Sequence, residues 1–226
     1  MIWEDKGYLI SKNKYSENSV IANFFTKNHG KVSGVVYGAT SKKNRNYLLV
    51  GNKFHLNYNS KNDGKSGYFK IEIDEIKTPI YLDNKKKLSS IIYVMNILKI
   101  LTNENQENKN IFFLIEDYFN FLPFDKWLKE FVFWELNFFK IIGYDLNLKD
   151  YVSSEKIDGI NKYVVKKNHN NKIIPDFLID KKVEPKNIQE LLIALKIIGD
   201  FLEKTILKPN NIGLPISRLD FLNLLK

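Results

Sequence analysis

The chain contains no cysteine, and this absence excludes several kinds of site. Disulfide bonds, iron–sulfur clusters, cysteine-ligated zinc and thiol catalysis all need a thiol group. The three histidines, His29, His55 and His169, are scattered and lack the i, i+4 spacing of a helical metal site. We therefore expect neither a metal ion nor any other cofactor.

Sequence motifs for enzymatic chemistry are missing as well. The chain has no GxxxxGK[ST] motif for phosphates, no GxGxxG motif after a strand and no GxSxG nucleophile motif. Neighbouring carboxylates such as Asp74 and Glu75 do not face each other on a regular element, so they are typical of solvated acids. We predict that the protein is not an enzyme.

Long apolar runs are also missing. The two most apolar segments, "IIYVMNILKIL" and "FVFWELNFFKIIG", are short and interrupted by polar residues, so neither could span a bilayer. The first ten residues, "MIWEDKGYLI", have acids where a secretory signal has a basic region. We expect a cytoplasmic protein with no membrane partner.

Acidic residues are absent between Glu17 and Asp63, in a chain whose formal net charge is +9. Basic residues without interspersed acids concentrate positive potential on one surface, which attracts a polyanion through the release of its counterions. A membrane surface or an acidic protein could use the same feature. The basic residues of this window are Lys27, Lys31, Lys42, Lys43, Arg45, Lys53 and Lys61.

Aromatic residues alternate with these cations, and some of them could stack on unpaired bases. Most must fill a core, but Tyr37 lies next to a glycine-bounded loop. The tight group Lys42, Lys43 and Arg45 is the strongest candidate, because like charges in one loop repel each other without a counter-charge. The residues that we predict to contact DNA are Lys12, Lys14, Lys27, His29, Lys31, Tyr37, Lys42, Lys43 and Arg45.

The first 80 residues have the pattern of a small β-barrel. Five runs rich in β-branched and aromatic residues, separated by polar or glycine-bearing turns, predict five short strands. A flat sheet of five short strands would leave long edges exposed, which favours closure. We predict an OB-type barrel over residues 1–80, with an SH3-like barrel as the alternative. The five runs are "GYLISKNKY", "SVIANFFT", "KVSGVVYG", "KFHLNYN" and "GYFKIEID".

Helical periodicity replaces the alternation after Pro79, so the sequence predicts an α+β protein with a helical domain over residues 81–226. Helices are expected from about Leu88 to Leu101, over 111–121 and 124–142, from Pro185 onward and from about Pro215. The helix over 124–142 has an aromatic stripe at the spacing of a buried face. Residues 149–184 form an irregular insert with weak strand signals.

Four blocks of the sequence, in their order and spacing, resemble the bacterial RecO family of DNA repair proteins. The first block is "WEDKGYLISKNKYSENSVIANFFTKNHGKVSGVVYGATSKKNR", followed by "LLVGNKFHLNY". The third is "FVFWELNFFKIIGYDLNL", and the last is "IGDFLEKTI" with "LPISRLDFLNLL". The resemblance implies an amino-terminal OB-fold and a carboxy-terminal helical domain.

The resemblance also implies a function in recombination mediation. A protein of this kind binds single-stranded and double-stranded DNA, anneals single strands, and works with RecR to help RecA load onto strands coated by single-strand binding protein. It implies capture of the acidic tail of that binding protein, for which Arg218 and Lys226 are the cations that we nominate. We expect a protein that is monomeric by itself and associates with the nucleoid during repair.

The chain departs from the family at one place. Many members have a four-cysteine zinc site after the block that here ends "GYDLNL", whereas Tyr151 stands near the position of the first cysteine and no cysteine follows. We predict a degenerate, metal-free version of that insert. Two other functions stay open: an adaptor whose basic barrel grips an acidic partner, and an unrecognised enzyme on a barrel scaffold.

Overall fold

The structure, a computed structural model, describes residues 1–60, 67–157, 160–167 and 170–226. The strands are β1 (Ile2–Ser16), β2 (Ser19–Thr26), β3 (Gly30–Tyr37), β4 (Lys53–Asn59), β5 (Gly67–Glu75), β6 (Ser153–Ile157), β7 (Ile160–Lys167) and β8 (Asn170–Ile174). The α-helices are α1 (Lys42–Tyr47), α2 (Lys85–Leu101), α3 (Lys109–Phe121), α4 (Trp127–Ile141), α5 (Asp176–Ile179), α6 (Ile188–Phe201) and α7 (Ile216–Leu225). A π-helical segment, Leu202–Leu207, follows α6 directly.

The first five strands close into a barrel in the order β1-β2-β3-β5-β4. Neighbours are antiparallel except β3 and β5, which run parallel and pair Gly34 with Gly67. A β-bulge between Leu9 and Ser11 lets the long strand β1 bend and pair with both β2 and β4. A five-stranded closed barrel with a short helix between β3 and β4 confirms the predicted OB-type fold.

The barrel core is formed by those residues of each strand whose side chains point inward. Phe24, Phe54 and Phe69 meet at its centre, with the ring centroid of Phe24 lying 5.7 Å from that of Phe54 and 5.0 Å from that of Phe69. All three are at most 3% exposed. The predicted strand pattern is confirmed, since core residues such as Phe54, Leu56 and Tyr58 of β4 alternate with residues that face outward.

The chain forms two compact units. The first comprises Met1–Phe119 and Pro215–Leu225, and the second comprises Asn120–Leu214 with Lys226. The change of periodicity near residue 80 therefore marks the end of the barrel, while the boundary between compact units falls farther along the chain. The predicted division into a barrel domain of residues 1–80 and a helical domain of residues 81–226 stays a prediction.

Aromatic packing explains why the first unit extends beyond the barrel. Tyr8 of β1 faces away from the barrel core, and its ring stacks on Phe119 of α3 with the centroids 5.5 Å apart. The chain later returns to this unit through α7, where Phe221 stacks on Tyr93 of α2 at 6.3 Å. The predicted last helix is thus confirmed, and it completes the first unit.

A buried lysine ties β4 to α3 within the first unit. Lys53 is 7% exposed, and its ammonium group donates to Glu116 of α3 at 2.6 Å and to Glu75 at 2.9 Å. Burial by itself would lower the pKa of Lys53, but the hydrogen bonds with the two carboxylates outweigh it and raise the pKa. Lys53 therefore stays charged and serves the fold.

The second unit is organised around α4. The aromatic stripe predicted for this helix is buried, and the rings of Phe131, Trp134 and Phe138 stack successively with centroids 6.0 and 5.7 Å apart. The residues after α4 differ from the prediction in one respect. Instead of an irregular insert, β6, β7 and β8 form a three-stranded antiparallel sheet, which extends the weak strand signals seen in the sequence.

Candidate nucleic-acid interface

The predicted basic loop is a short helix, which corrects the expectation of a loop. Ser41 caps its first turn, accepting a hydrogen bond from the backbone N–H of Asn44 at 3.3 Å. Lys42 and Arg45 are exposed on α1, whereas the side chain of Lys43 lies outside what the structure describes. A helix of six residues is too short for a periodic apolar pattern, so this helix could not be recognised from the sequence.

The β1–β2 hairpin holds α1 in place. Asn18 at its tip accepts hydrogen bonds from the backbone N–H of Thr40 at 3.2 Å and from the Thr40 hydroxyl at 2.5 Å. The backbone N–H of Ala39 donates to the carbonyl of Asn18 at 3.1 Å. Three hydrogen bonds thus hold the segment before α1, and they fix the position of this helix beside the end of β3.

Two further predicted residues lie on β1 near this helix. Lys12 donates from its ammonium group to the carbonyl of Leu48, the residue that caps the end of α1, at 2.5 Å. Burial removes water from this ammonium group and lowers the pKa of Lys12. Lys12 and Lys14 are both exposed, but the ammonium group of Lys12 is engaged in joining β1 to α1. We call Lys14, Lys42 and Arg45 the cationic patch.

Lys27 and His29 lie at the opposite end of β2 from the cationic patch. The eight residues of β2 separate the two ends by about 24 Å, since a strand rises about 3.4 Å per residue. His29 stacks on Trp3 with the ring centroids 4.0 Å apart, and its Nδ1 lies 3.0 Å from Oδ2 of the buried Asp5. The structure therefore does not bring these two residues together with the cations near α1.

The position of Lys31 corrects the predicted set of DNA-contacting residues. Its side chain is buried at 8% exposure, and its ammonium group donates to the carbonyls of Lys99 at 2.9 Å and Thr102 at 2.5 Å. These carbonyls belong to the end of α2, where the helix dipole favours a positive charge. Lys31 thus caps α2 and is not available to a phosphate. The contact joins residues about 70 apart, which alternation along a strand cannot reveal.

Arg218 corrects the predicted partner site in the same way. It is 1% exposed, and its guanidinium group donates to the hydroxyl of Tyr93 at 2.5 Å. Its guanidinium carbon lies 5.1 Å from the centroid of the Tyr93 ring, a cation–π contact. A buried arginine cannot stand at the rim of a docking groove. Lys226 is exposed, and its role stays a prediction.

Tyr37 lies where the sequence predicted, on the outer surface of the barrel at the end of β3. It is 62% exposed, and its ring centroid lies 6.1 Å from that of Tyr68 on the neighbouring strand β5. Tyr68 was not among the predicted residues. The alternation in "GYFKIEID" contained the signal, because Phe69 and Ile71 point inward and Tyr68 and Lys70 therefore point outward.

A groove of about 730 Å³ runs along another part of the barrel, over the outer surface of β1, β4 and β5. Three carboxylates line it, those of Glu4, Asp5 and Glu72, together with basic side chains such as Lys6 and Lys70. Mixed charge of this kind does not favour a phosphate backbone. The cationic patch, in which Lys42 and Arg45 belong to the acid-free part of the sequence, is the better candidate for contact with a polyanion.

The insert does not fit a structural zinc ion. Tetrahedral zinc needs four thiolate or imidazole ligands, and the chain has no cysteine and one histidine in the insert, His169, which lies outside the described residues. Tyr151, near the position of the first cysteine in the family, is 67% exposed. The backbone pairing of the insert sheet and the buried side chains of Val164 and Ile174 hold it instead.

We predict that purified protein contains no stoichiometric zinc, because the insert is stabilised by its sheet and its apolar contacts. Elemental analysis after dialysis should find well under one zinc per chain. Treatment with a chelator should leave the melting temperature unchanged, while a cysteine-ligated zinc protein treated in parallel should be destabilised. Zinc that survives dialysis at one per chain, or a chelator-dependent melting temperature, would overturn this prediction.

Within residues 1–60, 67–157, 160–167 and 170–226, no helix has the length and apolar character needed to cross a bilayer. Over the described residues, no three carboxylate or imidazole side chains converge in a way that could hold a metal ion.

Comparison with known proteins finds matches over most of the chain. The family model "Recombination protein O N terminal" matches residues 1–73, and "Recombination protein O C terminal" matches residues 83–190. A "DNA repair protein RecO" from Rickettsia typhi is 28% identical over 222 residues, covering 92% of both chains. Proteins of the same name from Rickettsia felis and Rickettsia canadensis are each 29% identical, the former covering 80% of this chain and 81% of its own, the latter 78% of both.

Proposed function

Since the chain belongs to the RecO family, we propose that it acts in DNA repair as a recombination mediator that binds and anneals single-stranded DNA. The protein itself carries out no covalent chemistry in this proposal. Its role is to hold a strand and to bring other proteins to it.

The cationic patch is the observation that carries the proposal. Lys14, Lys42 and Arg45 are exposed at one end of an OB-type barrel, a fold whose β2–β3 surface binds oligonucleotides in many proteins. The β1–β2 hairpin fixes the segment before α1 through Asn18, so the cations need little ordering when they meet a phosphate. Lys42 and Arg45 lie in the part of the sequence between Glu17 and Asp63 that contains no acidic residue.

The proposal includes protein partners. Through RecR and single-strand binding protein, the chain would help RecA to load onto coated strands, acting as a monomer in the cytoplasm and at the nucleoid during repair. An acidic tail with an apolar tip needs an apolar groove with a cation at its rim. Because Arg218 is buried, Lys226 is the cation that remains of the two nominated for this role.

A fluorescence-anisotropy titration with a labelled oligonucleotide, single-stranded and double-stranded, tests the proposal. We expect single-strand binding whose affinity falls steeply with salt. The slope of log affinity against log salt concentration, called the salt slope below, should be steeper by about 0.7 for each phosphate contacted. Binding to poly-glutamate with no affinity for either oligonucleotide would favour the adaptor function instead. Cleavage of the oligonucleotide or phosphate release would favour an enzyme.

A further inference from the structure

An aromatic pair on the barrel surface has no role in the fold described so far. Val36 of β3 and Phe69 of β5 point inward and are 1% and 3% exposed, so the next outward positions belong to Tyr37 and Tyr68. The parallel register of β3 and β5 pairs Val35 with Tyr68 and thereby brings the two tyrosines side by side. Two aromatic rings thus stand together on the outside of the barrel.

The geometry of the pair leaves ring faces available. The planes of the two rings are inclined by 56°, so they do not stack on each other. Tyr37 is 62% exposed, which means that most of its ring is in contact with water. An exposed aromatic face is suited to stacking on a flat, unpaired base, and such stacking tolerates any base because every base has a π face.

Cations stand on two sides of the pair. Lys70 is two residues beyond Tyr68 on β5, so it points outward on the same surface, and it is exposed. Among the described residues, no carboxylate forms an ion pair with Lys70. On the other side, β3 ends at Tyr37 and the chain continues into α1 with Lys42 and Arg45. A base on the aromatic pair would therefore have positive charge within reach of its neighbouring phosphates.

Acidic residues mark the limits of this surface. Glu17 lies at the tip of the β1–β2 hairpin, and Glu72 lies two residues beyond Lys70 on β5. Both Lys70 and Glu72 line the mixed-charge groove, so Lys70 lies where the groove meets the surface of the aromatic pair. The outward residues of β2 and β3 between the two acids, such as Asn23, Ser33 and Val35, are uncharged and half-buried. Charge complementarity thus favours a polyanion from the aromatic pair toward β2 and β3, with Lys70 at its border, and disfavours it in the groove beyond Lys70, where Glu4, Asp5 and Glu72 lie.

We propose that Tyr37 and Tyr68 form a base-stacking site, that Lys70 binds an adjoining phosphate, and that this site makes the protein prefer single-stranded over double-stranded nucleic acid. The inference deepens the proposed function and rests on it. A duplex offers its phosphates to the cationic patch but keeps its base faces inside the stack, so the tyrosines contribute to single-strand binding alone. An acidic peptide offers charge without a base to stack.

The test compares the double variant Tyr37→Ala/Tyr68→Ala with wild type on three probes: a single strand, the same strand with abasic sites, and a duplex. The variant should bind the intact single strand about 5- to 150-fold more weakly, the range for one stacked base. Its affinity for the abasic strand and the duplex should be unchanged, and so should its salt slope. The variant Lys70→Ala should instead reduce the single-strand salt slope by about 0.7.

Matched variants make the outcome decisive. Tyr37→Phe/Tyr68→Phe keeps both rings and should bind as wild type does, and Tyr151→Ala removes an equally exposed tyrosine from the second unit without effect. An alanine double variant that binds the intact strand normally, or that loses equal affinity for the abasic strand or for poly-glutamate, would overturn the stacking site. A wild-type protein that binds no single strand would defeat the proposed function itself.

Discussion

Replacing Gly30 with alanine should lower the free energy of unfolding by about 2–5 kcal/mol. The backbone at Gly30 has a φ of +65°, and a methyl group there would lie 1.8 Å from the carbonyl oxygen of Gln106. The left-handed conformation costs a side chain roughly 1–2 kcal/mol, and forcing the two segments apart adds about 1–3 kcal/mol. For a chain of this size the melting temperature should fall by roughly 5–15 °C.

The matched control is Gly38→Ala. Gly38 has a φ of +69°, but the nearest atom to an added methyl group, Nδ2 of Asn44, is 3.8 Å away. This variant therefore has the conformational cost without the collision and should lose only about 1–2 kcal/mol. Thermal and urea denaturation of both variants measure the difference. Equal losses for the two would show that the contact between Gly30 and Gln106 is not close in solution.

The triple variant Lys42→Ala/Lys43→Ala/Arg45→Ala should bind single-stranded DNA roughly 100-fold more weakly at 0.1 M salt. If each cation contacts one phosphate, the log–log salt slope falls by about 2, and the difference from wild type disappears near 1 M salt. The loss should be the same for different base sequences, because phosphate contacts do not read bases. Anisotropy titrations at four or more salt concentrations provide the slopes.

A second triple variant controls for the loss of charge. Lys126, Lys140 and Lys208 are exposed lysines of the second unit, and each lies within 3.2 Å of a carboxylate oxygen. Their replacement by alanine removes the same three charges from positions already paired with acids, and the salt slope should change little. A correctly folded α1 variant with a normal slope would remove this helix from the interface.

The barrel could be predicted from the sequence because its strands alternate cleanly. In strands such as β4, core residues alternate with outward residues, and period-two alternation is a local signal. The strand pattern already favoured an OB-type barrel over an SH3-like one, and the resemblance to the RecO family implied the same fold. The same alternation also indicated that Tyr68 faces outward, although the sequence alone could not show that it lies beside Tyr37, since that depends on the parallel pairing of β3 and β5.

Two charged residues of the predicted site could not be read correctly from the sequence. Lys31 donates to carbonyls of α2 about 70 residues away, and Arg218 donates to Tyr93 about 125 residues away. Nothing in the neighbouring sequence distinguishes them from surface cations, because both lie at positions that a polar residue normally occupies on a solvated face. Burial of a charge is decided by long-range packing, which a local pattern does not contain.

Helix α7 is synthesised after the second unit, but it packs into the first unit. Residues 120–214, about 95 residues, must be translated after Phe119 before α7 can pack on α2. At roughly 5–20 residues per second this takes about 5–20 seconds. During that time the nascent first unit has no Phe221 to cover the ring of Tyr93. The barrel can close early on the ribosome, but the helical layer beside it stays incomplete and exposed to chaperones and proteases until the last helix emerges.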